Sequence, residues 1–111
     1  MWQVAFKLAT DCFFVTKAFP KEELFGLTSQ LRRAGWSVPC NIAEGQGRQH
    51  RKEFLNHLSI ARGSLMELET LIMLSASVEI LSVDKERELL ETADQVSRML
   101  TGLRRALKNK P

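Results

Sequence analysis

Apolar and polar residues alternate along this chain with a helical rhythm. Positions spaced by three and four residues fall on one face of a helix, because 3.6 residues complete a turn. Trp2, Ala5, Ala9, Cys12, Thr16 and Phe19 keep that spacing, with Phe6 and Phe13 beside them, and predict a first helix over about 2–18. Leu24, Leu27, Leu31, Ala34, Val38 and Asn41 predict a second over about 20–46. Pro20 would be its first residue, with Glu22 and Glu23 in the turn where the helix dipole favours acids. The third pattern is the most regular: Phe54, Leu58, Ala61, Leu65, Leu68, Ile72 and Ser75, over about 50–78. Leu89, Ala93, Val96, Leu100, Leu103 and Leu107 predict a fourth helix over about 84–108, with Ser82 or Asp84 as its cap.

No stretch alternates with the period of a strand. Four amphipathic helices with short joints near 19–20, 46–50 and 79–83 predict one all-α domain over 1–111, an antiparallel up-down-up-down bundle. Pro39 falls inside the second pattern. It lacks an amide hydrogen, and its ring crowds the carbonyl four residues back, which belongs to Gly35. The apolar seam runs through the proline, so a single helix kinked at Pro39 is expected.

Composition narrows the class. At 111 residues, 44% hydrophobic and 26% charged, the chain suits one folded domain. No apolar run reaches the roughly 18 residues that a membrane helix needs. The opening "MWQVAFKLATDCFF" lacks a basic leader region and carries Asp11, so no secretory signal is expected. Cys12 and Cys40 form no CxxC pair and read as small buried residues of a reducing cytoplasm. The net charge of +3 is unevenly spread. Residues 1–62 hold nine basic and five acidic side chains, 63–103 hold three and eight, and 104–111 hold four and none. Such zoning serves an anionic partner, or pairing of opposite zones within or between chains.

Candidate chemistry concentrates in "SVPCNIAEGQGRQHRKEF", residues 37–54. Arg33, Ser37, Asn41, Glu44 and Arg48 share one helical face, with Glu44 and Arg48 in the favourable order for an ion pair. An asparagine on an apolar seam fixes register more often than it catalyses. Gly45 and Gly47 are placed to end the helix in a left-handed cap. Beyond them, Arg48, His50, Arg51 and Lys52 crowd the start of the third helix, where the dipole disfavours cations. A bound phosphate would offset them, as would acids of a neighbouring subunit. A solvated corner is the plainer reading. Arg104, Arg105, Lys108 and Lys110 extend the basic set at the far end of the chain. Arg32 and Arg33 are expected to pair with Glu67 and Glu69, within the subunit or across to a neighbouring one. No nucleophile–base set is evident, and His50 and His57 lack carboxylates at ligand spacing, so neither a catalytic centre, a metal nor a cofactor is expected. Trp36 lies off the seam and, with Phe6 and Phe13, is the candidate for an oligomer interface.

The stretches "FPKEELFGLTSQLRRAGWSVPCNIAEGQGR" and "KEFLNHLSIARGSLMELET" resemble the four-helix-bundle family first noticed as reading frames in 23S ribosomal RNA intervening sequences, also labelled S23. The matching polar positions are Ser29, Arg32, Arg33, Ser37, Asn41, Glu44, Arg48, Lys52, Glu53, Glu67 and Glu69. The resemblance implies antiparallel bundles assembled as ring-shaped pentamers, with RNA binding suggested by genomic setting and basic surface. A related group, the accessory variability proteins of diversity-generating retroelements, shares the pentameric bundle and binds nucleic acid. Two departures stand out. His50 replaces a serine that would form a capping box with Glu53, and Gly35–Trp36 replace small or aliphatic residues.

These readings predict a cytoplasmic, non-enzymatic homo-oligomer, a pentamer by resemblance, that binds RNA through Arg48, His50, Arg51, Lys52, Arg104, Arg105 and Lys108. The alternative is a structural ring that docks a protein partner. A small enzyme is the third and least supported class.

Overall fold

A computed structural model describes residues 2–110. It contains four α-helices: α1 (Trp2–Thr16), α2 (Ser29–Gln46), α3 (Arg51–Ser77) and α4 (Val83–Lys108). Among the described residues there is no strand. The outline is a rod of 50 × 23 × 18 Å. α3 and α4 set that length, since 26–27 helical residues rise about 40 Å.

α3 and α4 bury the stripes that their spacing predicts, and α1 and α2 do so in part, since Trp2 stays exposed while Leu8 and Ile42 join the core. Leu58, Ala61, Leu65, Leu68, Ile72 and Ser75 of α3 are fully enclosed. So are Ala93, Val96 and Leu100 of α4, with Leu89 nearly so. α1 contributes Ala5, Leu8, Ala9, Cys12 and Thr16, and α2 contributes Leu31, Ala34, Val38 and Ile42. α1 packs on α2, α2 on α3, α3 on α4, and α4 back on α1, so four stripes share one core. Fully burying one leucine-sized side chain is worth about 1.5–3 kcal/mol, which is why this stripe, rather than helix propensity, holds the rod together.

The second helix departs from expectation at its start. A continuous helix from residue 20 does not form. Pro20 is extended and caps a single 3₁₀ turn, Lys21–Glu23, and a π-helical turn, Leu24–Thr28, follows. Gly26 leaves helical geometry altogether at φ −112°, ψ −113°. The Glu23 carboxylate accepts the Leu27 amide at 3.4 Å, capping the new turn from outside the helix. Leu24, counted on the core seam by spacing, is therefore exposed, while Phe25 projects at 89% exposure. α2 itself runs without interruption through Pro39.

One cap also differs, and at another the structure selects between the two candidates. Gly47 ends α2 in right-handed geometry, and no described glycine has a positive φ. The expected left-handed cap does not form: Gly47 donates its amide to the Ala43 and Glu44 carbonyls from right-handed geometry. At the head of α4, Ser82 accepts the Lys85 amide at 3.2 Å, so serine rather than Asp84 is the cap.

Candidate functional site: a polar seam and a basic end

The polar row of α2 becomes a seam against α3. Ser37 Oγ and Ser64 Oγ lie 2.6 Å apart. Asn41 Nδ2 donates to the Ser37 carbonyl at 2.8 Å and to Ser37 Oγ at 3.1 Å. That orientation turns Asn41 Oδ1 toward His57, whose Nδ1 is 3.2 Å away. Since Oδ1 only accepts, the imidazole must carry its proton on Nδ1. Glu44 Oε2 is 3.9 Å from the same nitrogen, and Glu44 Oε1 takes Arg48 Nη2 at 3.0 Å. Arg48 Nη1 reaches Glu53 Oε2 at 3.9 Å. The chain of contacts thus runs from Ser64 to Glu53 with each member engaged by another side chain of the protein.

Gly45 lets the helices close over this seam. A Cβ at that position would lie 2.8 Å from His57 Cβ and 2.9 Å from Phe54 Cδ1, too close for real atoms. Gly45 is buried, and its lack of a side chain permits the approach. Spacing alone had suggested a turn former; the contact with α3 is the actual demand.

Arg32 and Arg33 do not reach Glu67 or Glu69 within the chain. Arg32 Nε donates to Thr16 Oγ1 at 2.8 Å, and its guanidinium sits 4.4 Å from the centre of the Phe13 ring. Arg33 Nη2 donates to Gln30 Oε1 at 2.6 Å. Within the chain that pairing does not form, because Arg32 faces α1, where a hydroxyl and an aromatic face receive it. Glu69 instead lies near α4, where burial and then the charge of Asp94 raise its carboxyl above the ordinary range. Ser29 Oγ donates to the Gly26 carbonyl at 3.4 Å, at the irregular start of α2.

The basic residues meet where α3 begins and α4 ends. Arg51 Nη1 donates to the Lys110 carbonyl at 2.7 Å, drawing the last described residues onto α3. His50 occupies the cap position of α3 without a side-chain capping bond. An open groove of about 580 Å³ lies between the helices, with Lys52, Glu53, Asn56, Ser59, Arg104 and Lys108 among its walls. Arg104 Nη2 donates to Ser59 Oγ at 3.3 Å. A second depression of about 260 Å³ adjoins it, bounded by Arg62, Thr101, Arg104, Arg105, Lys108 and Asn109. Of the corner set, Arg48 and Arg51 are engaged within the chain, whereas Lys52 opens onto the groove. Arg62 belongs to this cluster and was missed by sequence reading, because it stands alone among neutral neighbours.

A third region is apolar. Trp2, Phe6, Phe13, Trp36, Pro39 and Cys40 line a groove of about 420 Å³ between α1 and α2. Trp36 is 49% exposed and Phe6 53%. The three expected interface residues, Phe6, Phe13 and Trp36, thus share one surface. Cys40 is exposed on this groove, contrary to the expectation of burial. It lies two residues beyond buried Val38, which turns it toward the groove rather than the core. Cys12 is buried, and burial, reinforced by Asp11, pushes its thiol up to about 12. Among the described residues no helix is long and apolar enough to cross a membrane, and no cluster of three metal-ligating side chains occurs.

The sequence pattern of the 23S rRNA-intervening sequence proteins matches residues 1–102. The fold is similar to a crystal structure of a protein of unknown function from the S23 ribosomal protein family of Bacteroides thetaiotaomicron VPI-5482. The TM-score is 0.87 at 22% identity, covering 94% of each chain. No functionally curated protein matches the sequence.

Proposed function

The chain belongs to the 23S rRNA-intervening sequence protein family, and from that premise we propose a non-enzymatic oligomer, a ring-shaped pentamer, that binds RNA through its basic end in the cytoplasm. The observation carrying this reading is the convergence of Lys52, Arg104 and Lys108 on one open groove, with Arg62 and Arg105 beside it. Among the described residues none of these five forms an ion pair, so their charge is directed outward. Cations left in solvent attract phosphate, and a ring multiplies a weak patch by presenting several at once.

The ring is read on an antiparallel up-down-up-down bundle. Supporting that order, Thr16 meets Arg32 while Ala9 and Cys12 approach Gly35, and Ser37 meets Ser64 while Asn41 meets His57. In each pair of helices one number rises as the other falls. A bend at Pro39 follows from the missing amide and the crowded Gly35 carbonyl. The groove of Phe6, Phe13 and Trp36 is the proposed contact between copies, since exposed aromatics in a cleft favour burial. Absence of catalysis is inferred from the polar seam: Ser37, Asn41 and Glu44 spend their hydrogen bonds on Ser64, His57 and Arg48.

A second reading, a ring that docks a protein partner, draws on the exposed Ile60, Met66, Met73 and Leu74 of α3. One variant separates the readings: Lys52, Arg105 and Lys108 all changed to Ala, followed by sedimentation and by fluorescence anisotropy of labelled RNA across salt. An intact ring with weaker RNA binding and a shallower salt slope supports RNA binding at this end. Dissociation of the ring identifies an assembly contact. No RNA binding by the wild-type ring at low salt favours the protein-docking reading, and a wild-type monomer at micromolar concentration overturns the ring.

A further inference from the structure

The two depressions at the basic end share a wall. Arg104 and Lys108, one helical turn apart on α4, border both. On one side the wall faces Lys52 of α3, and on the other Arg62 of α3 with Arg105 of α4. Each cup therefore holds at least one cation of its own and two in common. Glu53 is the one carboxylate on either lining, and it is directed at Arg48, 3.9 Å away. Arg104 adds a further sign. Its Nε is sealed from solvent and makes no hydrogen bond, although its Nη2 is fixed by Ser59. The Nη2 contact holds the guanidinium on the shared wall, so an anion in either cup meets a side chain that is already ordered.

We propose that this double cup seats two successive phosphates of a single nucleic-acid strand, with the Arg104–Lys108 ridge between them. The assignment rests on the RNA-binding reading above and adds which part of the RNA is held, and by what. A lone phosphate would need one cup. Two cups with a common cationic ridge suit phosphates joined by one nucleotide, each meeting its own lysine or arginine while sharing the ridge. Arg104 supplies a planar fork to an oxygen pair, and Lys108 and Lys52 act as mobile point charges. The wall offers no exposed aromatic ring for a base to stack on, so the seat holds backbone and leaves base identity unread.

The test uses the whole chain, labelled with ¹⁵N. The Nε–H signal of Arg104 is followed by NMR while inorganic phosphate, tripolyphosphate and a short single-stranded RNA are added in separate titrations. Tripolyphosphate and RNA are expected to shift that signal, and orthophosphate to bind at least tenfold more weakly than tripolyphosphate. Lys52→Gln and Arg62→Gln lie in different cups. Each is expected to flatten the salt dependence of RNA binding by about 0.7 in logarithmic slope, and the pair by about twice that, the amount for one and two single-strand phosphates. RNA binding with an unmoved Arg104 signal and unchanged slopes in both variants overturns the double cup and leaves the RNA reading standing. Tripolyphosphate binding that shifts Arg104, with no RNA binding, keeps an anion seat and overturns both the strand and the RNA reading. No shift with any of the three, together with no RNA binding, overturns both proposals.

Discussion

The seam between α2 and α3 and the end shared by α3 and α4 are both polar, and they are built on opposite rules. Along the seam, Ser64, Ser37, Asn41, His57, Glu44 and Arg48 satisfy one another in sequence. At the basic end, five cations gather with one carboxylate that is turned elsewhere. A sequence pattern treats these residues alike, as charged and polar letters on helix faces. The coordinates separate them by where their partners are. Groups that close on each other stabilise the fold and set its register, and groups left open are available to something outside.

The largest effect should come from disturbing the closed region. Gly45→Ala places a methyl group within 3 Å of both His57 and Phe54. Overpacking of this kind costs about 1–3 kcal/mol, measured by urea denaturation. A change below about 0.5 kcal/mol would mean that α2 and α3 separate easily and that the seam is not tight.

Asn41→Ala comes next. It leaves the His57 Nδ1–H without its acceptor and removes a donor from Ser37. An unsatisfied half-buried group costs about 1–2 kcal/mol. The seam account would be wrong if the variant unfolded at the wild-type urea concentration.

The two thiols repeat the contrast of closed and open. Cys40 should react at once with a thiol reagent in the native protein, and Cys12 only on unfolding. The Cys12 proton also carries a pH dependence. Its folded value is raised, from 9.0 to about 12, so the unfolded chain loses this proton first as pH rises. The stabilisation is complete below pH 9.0 and is lost progressively toward pH 12. At pH 10 the loss is about 1 kcal/mol. Cys12→Ala should remove this slope, and an unchanged slope would reassign it to other groups.

The smallest effect belongs to the open region. Arg105→Gln with Lys108→Gln should leave stability within about 0.5 kcal/mol, because no internal partner is lost. A loss above 1 kcal/mol would place these cations among the structural groups.

Much of this architecture was legible from spacing. The stripes of α3 and α4 were read correctly residue by residue, since an uninterrupted amphipathic helix repeats the same signal for seven turns. The start of α2 was not legible. Leu24 and Leu27 keep helical spacing with Leu31, but the single break at Gly26 rotates Leu24 out of the core. Spacing within one helix is blind to a change of φ and ψ at one residue. Partners across helices were harder still. Spacing sets His57 beside His50, seven residues away on the same face. Its partner is Asn41, and the two stand equally far from Gln49 in the joint between α2 and α3, so folding the sequence about that joint would have found it. Arg32 was matched to distant acids by charge, whereas it uses a hydroxyl and a ring on α1. Charge alone does not indicate which neighbour a helix face meets.

The joints differ as much as the surfaces do. Four residues, 47–50, connect α2 to α3, whereas α1 reaches α2 across the irregular segment 17–28. Loop closure over a short joint costs less entropy, and the contacts it permits are close in sequence. The helical pair α2–α3 can therefore assemble early on the way to the native state, with α1 arriving last. Amide exchange should then be slowest at the centre of α3 and fastest along α1. The helix that carries Phe6 and Phe13 would be the part of the rod most easily lifted away.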